Sequence, residues 1–73
     1  MTTKQLRVFS HRLEEKGQER LSVQDIQRIA HVSRRQAQRI LIHCAGRDAD
    51  TVATGTLQTW ISRQLQQGYY APW

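Results

Sequence analysis

Ser22–Leu41, SVQDIQRIAHVSRRQAQRIL, is the stretch that decides the fold. Ser22 places a hydroxyl where it can accept the amide three residues on, and Asp25 brings negative charge into a helix's positive first turn. Val23, Ile26, Ile29 and Ala30 then fall on one apolar stripe, which predicts a short helix ending near His31. Ser33 caps a second helix almost at once. Ala37, Ile40, Leu41 and Cys44 form its inner face, and Gly46 stops it. Only Ala30-His31-Val32-Ser33 joins the two helices. So short a connection makes them cross at a wide angle, with Val32 plugging the corner.

Outward from this unit the pattern stays helical. Leu6, Phe9 and Leu13 predict a first helix from Thr3, as N-cap, to about Lys16, stopped by Gly17. Gln18–Leu21 reads as a connection. Leu57, Trp60, Ile61 and Leu65 predict a C-terminal helix over about 56–67, with Gly68 as its stop. Thr54-Gly55 leaves an alternative open, a β-hairpin wing over about 51–61. Tyr69, Tyr70 and Trp73 lie in an aromatic tail, 68–73, expected to fold back on the core or dock on a second subunit. The expected architecture is all-α: one domain over 1–73, with a three-helix core built around residues 22–45 and a C-terminal helix. The alternative is a winged helix.

The outer face of the second helix carries the chemistry. With its apolar residues turned inward, Arg35 and Arg39 point outward, Gln36, Gln38, Ile42 and His43 flank them, and Arg34 stands at the exposed first turn. No acidic residue occurs from Ser33 to Arg47. Such a surface matches major-groove edges: Arg with guanine, Gln with adenine, an aliphatic group with the thymine methyl. Gln24, Arg28, Ser33 and Arg47 are placed to hold phosphates and set register.

The same segment resembles the helix-turn-helix of the lac repressor family and the first such unit of AraC-type regulators. The likeness covers residues 22–41 and lies in Asp25-Ile26, Ile29-Ala30, Val32-Ser33 and the basic run into Arg39-Ile40-Leu41. It implies a DNA-binding transcriptional regulator whose second helix enters the major groove, with base reading chiefly by Arg34, Arg35 and Arg39. Geometry adds Gln36, Gln38 and His43. Two positions depart from the families' pattern. His31 stands where they usually carry Gly, and Gln27 where they prefer Ala.

Composition agrees and excludes more than it specifies. At 73 residues the core must be thin, since a domain this small buries only about 60% of its unfolded surface. An active-site cleft of ordinary size does not fit, and no phosphate loop, carboxylate pair or dinucleotide fingerprint occurs, so no enzyme is expected. The net charge of +5, with nine Arg among eleven basic residues, favours a polyanionic partner. Cys44 is the single cysteine, so no internal disulfide forms, and His43 beside it lacks the spacing of a zinc site. No cofactor, metal, small-molecule ligand or membrane is expected. Nothing reads as a signal peptide, and a cytoplasmic, nucleoid-associated location follows. The expected partners are double-stranded DNA and a second copy of the chain, through Trp60, Tyr69, Tyr70 and Trp73. The competing readings are a protein-interaction adaptor and an RNA-binding module using the same basic face.

Overall fold

Leu6, Phe9 and Leu13 recur at the helical period and become the buried stripe of the first helix, α1, Thr3–Lys16. Its N-cap is Thr2 and not Thr3, because Thr2 finds a reciprocal partner. The Gln5 amide donates to Thr2 Oγ1 at 3.2 Å, and the Thr2 amide donates to Gln5 Oε1 at 2.7 Å. Gly17 ends the helix in the left-handed region, at φ 63°. In this computed structural model, which describes residues 2–68, there follow β1 (Arg20–Ser22), α2 (Val23–Ala30), α3 (Arg34–Ala45), β2 (Thr51–Ala53) and α4 (Thr54–Gln67).

The molecule is therefore mostly helical, but not all-α. β1 and β2 pair antiparallel, with Arg20 opposite Ala53, Leu21 opposite Val52 and Ser22 opposite Thr51. Leu21 and Val52 both turn into the core, so the short ladder is held by apolar burial on one face. On the other, Arg20 Nε donates to Thr51 Oγ1 at 2.9 Å. The segment Gln18–Leu21, expected to be a plain connection, thus contributes a strand.

A hairpin over 51–61 does not form. β2 finds its partner in β1, far upstream, and Thr54-Gly55 opens a helix instead of turning a hairpin. Thr54 is fixed there by its amide, which donates to the Glu19 carbonyl at 2.9 Å, and by its hydroxyl, which donates to the Gln18 carbonyl. α4 accordingly starts two positions before the expected residue 56 and ends at Gly68, again left-handed at φ 66°. The expected aromatic contacts of Tyr69, Tyr70 and Trp73 lie outside the described residues.

Every element sends a side chain inward: Phe9 from α1, Leu21 from β1, Ile26 from α2, Ile40 from α3, Val52 from β2, Leu57 and Ile61 from α4. α4 is thus part of the core and not a cover added to three helices. Ser10 Oγ donates to Gln58 Oε1 and Gln58 Nε2 donates to the Ser10 carbonyl at 2.9 Å, a two-way fastening of α1 to α4. Among the described residues no polar side chain is fully buried. None of the described helices is long and apolar enough to cross a membrane.

Candidate nucleic-acid interface

The α2–α3 unit is held by local chemistry at each of its corners. Asp25 accepts from the Ser22 amide at 3.0 Å, and Ser22 Oγ accepts from the Asp25 amide at 3.3 Å, a reciprocal cap on α2. The Ser22 amide, chiefly, keeps the Asp25 carboxyl below its ordinary value; Arg28, 2.8 Å away, acts in the same direction, and partial burial opposes both. At the far end of α2, His31 takes φ 54° and ψ 46°, the left-handed conformation that ends the helix and opens the three-residue connection to α3. Histidine tolerates this region better than a β-branched residue does. Arg12, reaching across from α1, donates to the Ile29 carbonyl at 3.3 Å and so satisfies one of the last acceptors of α2.

Ser33 then caps α3 by the same device. The Gln36 amide donates to Ser33 Oγ at 3.2 Å, and the Ser33 amide donates to Gln36 Oε1 at 3.1 Å. This changes the meaning of two expected contacts. Ser33 and Gln36 spend acceptor capacity on the cap, so Gln36 is half-buried and presents chiefly its amide NH2. Ser33-x-x-Gln36 is a capping-box spacing, and that was the signal for the role.

The remaining outer positions of α3 stand clear. Arg34, Arg35, Gln38 and Arg39 are all exposed, as is Ile42 one turn further. Ala37, Ile40 and Leu41 are buried on the opposite side, which is what turns the arginines outward. Arg34, Arg35 and Arg39 enter no ion pair among the described residues; the pairs present are Asp25–Arg28 and His11–Glu15. Their charge is directed to solvent, not spent on carboxylates within the fold.

The other expected contacts are distributed around this helix. Gln24 and Arg28 line an open depression along α2 with Gln27, His31 and Val32, and Arg28 is held by Asp25 while staying largely exposed. Arg47 is exposed in the loop after α3. His43 sits in the last turn of α3, where a basic group favours the helix dipole, and lines a cleft of about 280 Å3 with Cys44, Thr56, Thr59, Trp60 and Arg63. Trp60, assigned from the sequence to a dimer contact, is half-buried and packs against the core. Cys44 is likewise half-buried, and burial pushes its thiol up to about 11, which leaves it protonated and unreactive near neutrality. No group of three His, Cys, Asp or Glu is placed to hold a metal ion among the described residues.

No protein-family model matches the chain, and no curated protein or solved structure matches it.

Proposed function

We propose that this chain is a small sequence-specific DNA-binding protein, a transcriptional regulator whose α2–turn–α3 unit works as a helix-turn-helix with α3 in the major groove. One observation carries the reading. A twelve-residue helix, capped and joined to its neighbour by the three-residue turn His31-Val32-Ser33, presents Arg34, Arg35, Gln38 and Arg39 on an exposed face without a counter-charge among the described residues. Guanidinium forks and an amide are the groups that discriminate guanine and adenine edges. A capped, well-packed helix holds them in fixed register. Gln24, Arg28 and Arg47 are assigned to the phosphates on either side, where they set position and not sequence.

A single such unit touches few base pairs. Useful affinity then calls for two copies on a two-fold site, with half-sites about 34 Å apart. The same reading makes the chain a non-enzymatic, cytoplasmic protein that works bound to the chromosome, controlled by its own concentration or by a partner.

Selection from random duplex DNA tests the reading directly. One duplex family should be enriched, with affinity falling steeply as salt rises because phosphate contacts release counterions. Arg35→Ala or Arg39→Ala should each cost about 1–3 kcal/mol and relax preference at one base position. Enrichment of structured RNA, or tight binding only to an acidic protein, would replace this conclusion with one of its competitors.

A further inference from the structure

Ile42 stands in the middle of a surface that is otherwise polar. It is 43% exposed, and Val8 on α1, at 40%, is the other large apolar side chain so exposed among the described residues. Position 42 lies seven residues beyond Arg35, three beyond Arg39 and four beyond Gln38. At about 100° per residue, Ile42 falls only about 20° from the line of Arg35 along the helix. It is therefore on the outward ridge of α3 and not at the margin of the buried stripe. Arg35, Gln38, Arg39 and Ile42 occupy i, i+3, i+4 and i+7, one face of a helix.

Nothing in the folding of the chain asks for isoleucine there. Straight-chain polar residues are better helix formers, and Arg35, Gln38 and Arg39 occupy the neighbouring outer positions. A branched aliphatic side chain at this site forgoes helix propensity and leaves apolar area in water. Its surroundings, two arginines and a glutamine, do not describe an apolar docking patch for another protein. They describe a face that meets a polar, anionic surface bearing an isolated apolar feature. The major groove has one such feature, the C5-methyl group of thymine.

We propose that Ile42 is a specificity-determining residue that packs against a thymine methyl in the major groove. The inference rests on the DNA-binding reading of α3. The spacing also sets where that thymine lies. Seven residues of helix span about 10.5 Å, and stacked base pairs are about 3.4 Å apart. The thymine is therefore expected within about three base pairs of the base that Arg35 meets, the full three applying to a helix parallel with the duplex axis.

The experiment uses the full chain and a duplex selected from random sequence, in which each thymine is replaced singly by deoxyuridine. The replacement removes one methyl group and leaves every hydrogen-bonding edge intact. At one thymine the wild-type chain should bind about fourfold more weakly, the effect of burying one methyl group. Ile42→Ala should bind the thymine and uracil duplexes equally at that position, and Ile42→Val should keep part of the discrimination. Both variants should retain the helical circular dichroism of the parent, because the side chain is outside the core. A wild-type chain indifferent to every substitution would overturn the assignment while leaving the DNA-binding reading in place. So would an Ile42→Ala variant that still discriminates, or one that changes only self-association. Failure to enrich any duplex would remove the reading beneath it as well.

Discussion

His31→Gly should stabilise the protein. His31 occupies φ 54°, ψ 46°, and it is the one non-glycine residue with positive φ among those described. A β-carbon in that region costs about 1–2 kcal/mol per residue, and glycine removes the cost. Against this, glycine gains freedom in the unfolded chain, which takes back about 0.4–1 kcal/mol. The side chain is exposed, so little packing is lost. The net expectation is a gain of about 0.5–1 kcal/mol, and a melting temperature higher by about 2–8 °C in a domain of this size. His31→Val supplies the opposite arm. A β-branched residue is a genuine outlier at positive φ, and that variant should melt lower than the parent. Thermal unfolding followed by circular dichroism, with urea titration as a second measure, decides the matter. If His31→Gly melts below the parent, the imidazole contributes more than the strain costs, and the account of the turn is wrong.

Leu21→Ala should cost about 2–5 kcal/mol, since Leu21 is fully buried in β1 opposite Val52; the urea midpoint measures it, and a loss under 1 kcal/mol would remove the strand pair from the core. Gly55→Ala should raise stability by up to about 1 kcal/mol, because Gly55 lies in the first turn of α4 without positive φ and with open space around an added β-carbon; a drop in melting temperature would contradict that geometry. Asp25→Ala should lose about 1 kcal/mol at neutral pH with the cap of α2. Because the folded carboxyl is held below its unfolded value of about 3.8, its contribution is complete above that value and disappears as pH falls through the folded one. The gap in melting temperature between parent and variant should therefore narrow as pH falls below that unfolded value, and a constant gap across the acid range would rule the linkage out.

The helices were readable because their signals are local. Ser22 with Asp25, Ser33, and the stops at Gly17, Gly46 and Gly68 each act within four residues of the backbone they govern, and each stands where the sequence placed it. The strand pair was not readable for the opposite reason. Three residues on each side carry no period, and the partner of Leu21 lies beyond both helices of the central unit. Thr54-Gly55 illustrates the same limit. Its composition suits a turn, but the Gln18 and Glu19 carbonyls, distant in sequence, hold Thr54 at the head of a helix. In the candidate site, the outward set Arg34, Arg35, Gln38 and Arg39 followed from helical geometry alone. The diversion of Gln36 into a cap followed from a spacing that competes with the same geometry, and position in the first turn decides which wins.

The pairing of β1 with β2 also bears on how this domain can be taken apart. Arg20 and Ala53 lie directly opposite across the ladder, so the chain leaves the α2–α3 unit within about one strand spacing, roughly 5 Å, of where it entered. Residues 20–53 thus form a closed excursion that begins and ends at one place, with α1 and α4 as its anchorage. Its ends are adjacent and its helices are capped locally, but its buried side chains Ile26, Ile29, Ile40 and Leu41 share one core with Leu6, Phe9 and Leu13 of α1 and with Leu57 and Ile61 of α4. The ladder fastens the two ends of the excursion to each other, while α1 and α4 supply the apolar surface on which α2 and α3 are seated.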